Sequence, residues 1–319
     1  MSLNKNKHLG DVLDSHKMSH IDDLLTKYKK KREEIKDALE DKFKDEIVTR
    51  AINSGSYAKH DAINIKYDLD ICQPFKRNSF ETLEDMADAV FNYFNDEYED
   101  DDLVKYKTRK QRVSTGVTFV VGGDEIQMDI VPGRELNEND YTETNRLNLY
   151  VRAKLLEGAS STQTNIQKHI DLIKGKDHER KVIRLLKIWK VNKSKDRVKS
   201  FLVELVTLRV FDNCSDIPSD QWGKLKIVME YIRDNIKTIR LEDPANTNNV
   251  VSDTMTDSEK NNFSYDMDLM LNHIEEDDDN LKVYFSVNDE FDCEDDEDKK
   301  GAALDIARSG VVQKPWCNF

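Results

Sequence analysis

Proline and glycine are scarce in this sequence, five and eleven among 319 residues, which argues against a turn-rich all-β fold and favours helix. Cysteine is scarcer still. Cys72, Cys214, Cys293 and Cys317 lie far apart and form no CxxC pair, so neither a disulfide framework nor a cysteine-based zinc site is expected, and a reducing compartment fits. No apolar run approaches the ~18 residues that mark a membrane-spanning helix. The polar opening MSLNKNKHLGDVLDSHK lacks the apolar stretch of a secretion signal. Positive charge is in deficit, with 49 Lys and Arg against 63 Asp and Glu and a net charge of −14. That excludes a general polyanion-binding surface and leaves room only for a local basic cleft. The expectation is a soluble cytoplasmic protein without a membrane partner. Hydrophobic residues, at 38%, suffice for one large domain or two intimate lobes.

Residues 20–48 contain no Gly or Pro, and Ile21, Leu24, Leu25, Tyr28, Ile35, Leu39, Phe43 and Ile47 recur at helical spacing. This predicts one long amphipathic helix that stops near the turn chemistry of NSGS. The alternating run IKYDLDICQPF predicts a strand ended by Pro74, and SFETLEDMADAVFNYFNDEY a helix. Residues 105–133 read as strand, strand, turn, strand, with the turn at Gly122-Gly123-Asp124. Beyond Pro132, DHERKVIRLLKIWKVNK, KSFLVELVTLRVFDN and DQWGKLKIVMEYIRDNI are amphipathic helices of a helical half running to about residue 275. Residues 275–300 are dominated by Asp, Glu, Asn and Lys; LKVYFSV reads as one short strand, and the rest as a flexible or partner-dependent tail. Trp189 is expected in the core, Gly223 at a helix entry, and His16 and His20 as an exposed pair sharing a helix face.

The stretch NSGSYAKHDAINIKYDLDI (residues 53–71) carries the chemistry. Strand alternation puts Asp68 and Asp70 on one face, with Leu69 and Ile71 on the other. Paired carboxylates repel unless a cation neutralises them, and hard oxygen ligands suit Mg²⁺. Asp129, in EIQMDIVPG, projects opposite Ile126, Met128 and Ile130. If its strand neighbours the first, the three carboxylates converge on a site for two metal ions suited to in-line phosphoryl transfer. The Gly55-Ser56 turn presents backbone N–H groups and a hydroxyl to a triphosphate, and Gly55 permits close approach. The competing reading makes these aspartates exposed strand and turn residues of an acidic protein, in which Asp-x-Asp recurs at several other places.

The order helix, Gly-Ser, Asp-x-Asp and a later apolar-flanked Asp resembles the DNA polymerase β-like nucleotidyltransferase superfamily. Three further stretches narrow the resemblance: KSFLVELVTLRVF (199–211), LEDPANTNNVVSD (241–253) and RLLKIWK (184–190). They are similar to segments of the branch holding the oligoadenylate synthetases and cyclic GMP-AMP synthase, whose bacterial members are the CD-NTases of antiphage (CBASS) systems. The resemblance spans roughly residues 20–255. It implies an α+β fold: a polymerase β-like nucleotidyltransferase core, a mixed sheet flanked by helices, with a second, helical lobe. Its divisions here are 1–48 (N-terminal region with a long spine helix), 49–150 (catalytic core), 151–275 (helical lobe) and 276–319 (acidic segment and tail).

The resemblance also implies roles. Asp68, Asp70 and Asp129 ligate two Mg²⁺ ions, for which Mn²⁺ substitutes, and Asp129 lies near the attacking hydroxyl. Gly55 and Ser56 hold the donor triphosphate, Lys187 reaches its terminal phosphates, and Ser200 supports them. Phe201 stands where relatives often carry Tyr; its ring either stacks on a base or packs in the core. Lys187 has an ordinary alternative as a solvated helix lysine. The activity implied is condensation of NTPs, ATP among them, into a cyclic di- or trinucleotide that acts on a downstream effector. The alternatives are a linear oligonucleotide synthase, a transferase acting on RNA or protein, and a non-catalytic nucleotide-binding module. The vertebrate zinc ribbon has no Cys/His counterpart here, and the ending KPWCNF departs from relatives conjugated through a small terminal residue. A regulatory partner protein at the C-terminal tail is the simpler expectation.

Overall fold

The computed structural model describes residues 2–67, 69–153 and 157–291. The first helix, α1 (Lys5–Ser15), buries Leu9, Val12 and Leu13 among helices from the second half of the chain. A 3₁₀ turn at Met18–Ile21 separates it from α2 (Asp22–Phe43). That break removes the shared helix face expected for His16 and His20. His16 is buried, its Nδ1 2.8 Å from the Val12 carbonyl oxygen, whereas His20 stacks on Phe291. The spine helix also ends earlier than its periodicity predicts. Backbone groups just past Phe43 are drawn to the sheet: Val48 N–H donates to the Pro74 carbonyl (3.0 Å) and Lys76 N–H to that of Glu46 (2.8 Å).

Next come β1 (Ile52–Asn53), the single turn α3 (Gly55–Ala58), β2 (Ile71–Phe75) and α4 (Leu83–Asn92), which a capping box at Thr82 and Asp85 starts. The strands β3 (Arg109–Lys110), β4 (Thr115–Val121) and β5 (Asp124–Glu135) follow, then α5 (Tyr141–Thr144), β6 (Leu147–Val151) and β7 (Ser160–Thr164). They form one mixed sheet in the order β1-β2-β5-β4-β3, with β6 on β5 and β7 on β6. The expected hairpin forms between β4 and β5. Gly122 and Gly123 both take positive φ (59° and 90°), as a two-residue type I′ turn requires. β2 and β5 pair in parallel and every other pairing is antiparallel. One face of this sheet packs on α2 and α4 through a core that includes Ile35, Leu39, Ile71, Phe75, Phe94, Phe119 and Ile130.

The second half is helical: α6 (Ile166–Ile173), α7 (Asp177–Asn192), α8 (Ser200–Asn213) and α9 (Gln221–Asn235). A small hairpin of β8 (Glu242–Asp243) and β9 (Asn246–Val250) leads to α10 (Asp257–Glu276) and the short α11 (Leu281–Tyr284). Trp189 is buried and stacks on Phe263. Gly223 accepts no side chain, because a Cβ would lie 2.5 Å from Pro218, and its N–H is capped by Asp220. LKVYFSV is not a strand. Its first four residues are helical, and Leu281 and Phe285, four apart, both enter the helical core. An acidic stretch is thereby pinned by two apolar anchors. The tail expected beyond residue 291 lies outside the described residues.

Candidate active site

The parallel register of β2 and β5 decides the geometry of the carboxylates. Ile71 pairs with Ile130, so one residue back Asp70 stands beside Asp129. Asp70 does not lie within a strand as expected, because β2 begins only at Ile71. The backbone at Asp70 still extends the pairing, since Ser54 N–H donates to the Asp70 carbonyl at 2.8 Å. Leu69 and Ile71 are fully buried, which turns the residue between them away from the core. Asp129 is held in the same way between Met128 and Ile130, and Gln111 Nε2 donates to its Oδ1 at 2.7 Å. Asp68, the third expected ligand, lies outside the described residues.

Gly55 opens α3 with φ +75°, and a Cβ there would stand 2.3 Å from Asp70 Oδ2. Absence of a side chain is therefore required by the carboxylate behind the turn, in addition to the approach of a phosphate anticipated from sequence.

These residues line a cleft of about 940 Å³ of empty space, part of it open to solvent. Gly55, Ser56, Asp70 and Asp129 come from the sheet lobe, and Lys187, Ser200 and Phe201 from α7 and α8. Seven of the eight sequence-predicted site residues thus meet in one cleft, and Asp68 is adjacent in sequence. The lining holds four lysines (Lys59, Lys66, Lys187, Lys199) against four carboxylates (Asp61, Asp70, Asp129, Glu204). In a chain of net charge −14 this is a charge-balanced enclave, whose field admits a polyanion once a cation joins the carboxylates.

Lys187 is not a solvated helix lysine. Buried, it sits 2.8 Å from Asp61 and 3.1 Å from Glu204, and Lys59 reaches Glu204 at 2.5 Å. The four charges alternate in sign and join the segment after α3 to α7 and α8. Burial would push the Glu204 carboxyl up, but Lys59 and Lys187 outweigh it and hold it down to about 2. Asp61 moves the opposite way: burial, then the Glu204 charge, push it above the ordinary carboxylate range. Burial and paired charge thus push the two carboxylates of the cluster in opposite directions.

Phe201 neither disappears into the core nor stands free. It is half-buried at the cleft, with the His169 ring 5.0 Å from its own and the Lys59 ammonium 5.6 Å from its centroid. His169 is anchored by Asp243 at 2.7 Å, within the LEDPANTNNVVSD segment. Ser200, at the start of α8, accepts from Lys190 Nζ at 3.0 Å. Burial, together with the charges of Lys66, Lys187 and Lys199, pulls that ammonium down to about 7.

Sequence reading missed Lys59, Asp61, Lys66, Lys199 and Glu204 as cleft residues. Glu204 had a signal, since it occupies the Glu position of the Ser-aromatic-x-x-Glu-Leu pattern. Lys59 and Asp61 had none, because their partners lie more than a hundred residues away.

The donor set fits divalent magnesium. Asp70 and Asp129 offer hard oxygens side by side at the cleft, and the glycine next to Asp70 leaves its carboxylate uncovered by a Cβ.

No protein-family model and no curated protein matches the chain. Solved structures do match. The structure of CdnC in the CdnC:HORMA-deltaN complex of E. coli MS115-1 superposes with a TM-score of 0.65 at 20% identity, covering 89% of this chain and 92% of that one. The Bradyrhizobium diazoefficiens CD-NTase CdnG in complex with GTP gives a TM-score of 0.69 at 10% identity over 95% and 98%. Vibrio cholerae DncV, a cyclic AMP-GMP synthase, gives 0.57 at 13% identity over 74% and 68%. The chain therefore has the fold of these CD-NTases, an α+β lobe built on a mixed sheet joined to a helical lobe. Among the described residues no helix is long and apolar enough to cross a membrane.

Proposed function

We propose that this chain is a CD-NTase: a nucleotidyltransferase that condenses NTPs into a cyclic di- or trinucleotide messenger of antiphage (CBASS) signalling. The observation that carries the reading is one cleft gathering Gly55, Ser56, Asp70, Asp129, Lys187, Ser200 and Phe201 from two lobes, within a fold shared with proteins solved with ATP, GTP and a linear dinucleotide intermediate.

In this reading the donor triphosphate lies along the Gly55-Ser56 turn, with the Ser56 hydroxyl donating to it and Ser200 supporting it from α8. Lys187 exchanges its Asp61 contact for phosphate while keeping its contact with Glu204. Asp68, Asp70 and Asp129 would hold two Mg²⁺ ions, which supply charge neutralisation and activation of the acceptor hydroxyl. That hydroxyl attacks the donor α-phosphorus; a P–O bond forms, pyrophosphate leaves, and the hydroxyl proton passes toward Asp129. Phe201, braced by His169, provides a face for a base. CdnC was solved with HORMA-deltaN, and a regulatory partner protein engaging the C-terminal region belongs to the same reading.

The test is incubation of purified protein with labelled ATP, GTP, CTP and UTP, singly and mixed, with Mg²⁺ or Mn²⁺. Phosphatase-resistant products that vanish in Asp68→Ala and Asp70→Ala support a cyclic product and report its bases. Phosphatase-sensitive ladders would instead assign linear synthesis. Label incorporated only into added RNA or protein would move the acceptor out of the nucleotide pool, and silence under all conditions, cell lysate included, would refute the enzyme reading.

A further inference from the structure

The orientation of the Asp129 carboxylate is set by a built support that begins outside the cleft. Gln111 lies just beyond β3 and does not line the cavity. Its backbone is held at both ends: its N–H donates to the Ser114 carbonyl at 2.9 Å, and its carbonyl accepts from an Arg152 guanidinium N–H at 3.1 Å. Its side chain is held at both ends too, with Nε2 donating to Asp129 Oδ1 at 2.7 Å and Oε1 accepting from Ser114 Oγ at 2.9 Å. Gln111 is buried and Ser114 fully so. The amide has only one tolerable orientation, because flipping it would set its oxygen against the carboxylate.

The slot through which the amide reaches Asp129 is made by Gly116, the residue paired with Asp129 across β4 and β5. A Cβ at 116 would lie 2.6 Å from Gln111 Nε2. The strand carries no side chain at the one position where the amide crosses it.

We infer that Gln111, anchored by Ser114 and admitted by Gly116, is a positioning residue that fixes the Asp129 carboxylate for divalent-cation binding. This rests on the reading of Asp129 as a metal ligand. A carboxylate's terminal torsion is broad, and a donor fixed on Oδ1 narrows it, which sets where Oδ2 points. A neutral amide suits this task better than a lysine or arginine. It orients the oxygen without neutralising it, so the negative charge remains for the metal, as supporting hydrogen bonds around metal carboxylates do.

The test reads Mn²⁺ binding alone, without nucleotide, by the electron paramagnetic resonance of free Mn²⁺, alongside the thermal midpoint of each variant. Gln111→Leu is expected to weaken Mn²⁺ binding about 10-fold, at the lower end of the effect of losing such a supporting group. Ser114→Ala and Gly116→Ala keep the Gln111 side chain but release or displace its amide; both are expected to weaken binding in the same direction, and they carry the test if Gln111→Leu does not fold. The double variant Gln111→Leu/Asp129→Asn is expected to bind no more weakly than Asp129→Asn, because Gln111 acts only through that carboxylate. If Asp129→Asn weakens binding while all three support variants match the parent, Gln111 has no positioning role and the metal site stands. Additive losses in the double variant would likewise overturn it. If Asp129→Asn itself binds Mn²⁺ normally, Asp129 is not a ligand, and both readings fall.

Discussion

Replacing Gly55 with alanine should separate the catalytic geometry from the stability of the fold. The φ of +75° costs a residue with a Cβ about 1–2 kcal/mol, a loss that a thermal midpoint registers as a modest shift. The larger consequence is local. The new methyl would lie 2.3 Å from Asp70 Oδ2, and ordinary contact begins at 3.4 Å, so the carboxylate must retreat by the difference, 1.1 Å. Displacement of about 1 Å in a reacting constellation costs on the order of 100-fold in rate. The assay is pyrophosphate release with the preferred NTP mixture, run beside thermal denaturation. The control is Gly10→Ala, within α1, where a Cβ would meet nothing within 4 Å. It should leave turnover unchanged and stabilise by about 0.5–1 kcal/mol. Turnover by Gly55→Ala within about threefold of the parent, against the ~100-fold expected, would show that the carboxylate is not held where the cleft places it.

Other perturbations follow from the same contacts. Glu204→Gln leaves Lys59 and Lys187 facing Asp61 alone, and should cost about 3–5 kcal/mol, read as a drop in denaturant midpoint. Because the Glu204 carboxyl is held below its unfolded value, its stabilisation is complete above that value and fades as pH falls toward about 2. Acid unfolding of the parent should therefore be steeper than that of the Gln variant. Lys190 is depressed to about 7, so stability gained from this group is present above its unfolded value and is lost as pH falls through about 7. Lys190→Met should flatten the rise in thermal midpoint between pH 6 and 9; an unchanged slope would mean the ammonium is not desolvated. Phe201→Ala should raise the KM for the stacked nucleotide by about 1–3 kcal/mol of lost stacking, while Phe201→Tyr should restore it. A KM unmoved by the Ala change would place Phe201 among packing residues.

Local pattern determined a great deal about this protein. The 3.6-residue spacing of Val182, Leu185, Leu186 and Trp189 marked α7, the alternation around Asp129 marked β5, and Gly122-Gly123 marked the hairpin, because each depends on neighbours a few residues apart. The ordered motifs also named seven residues that share one cleft. Tertiary structure decided what short-range periodicity does not encode. The spine helix stopped early because residues 46–48 pair with the end of β2. The acidic segment at 277–285 became ordered because Leu281 and Phe285 found a core built largely from other helices. The state of the cleft was decided in the same way. Lys59 and Glu204 are 145 residues apart, Gln111 and Asp129 eighteen. An ion pair or an oriented amide is a property of two groups in contact, so its energy depends on where the fold puts the partner rather than on either residue's own neighbours in the chain.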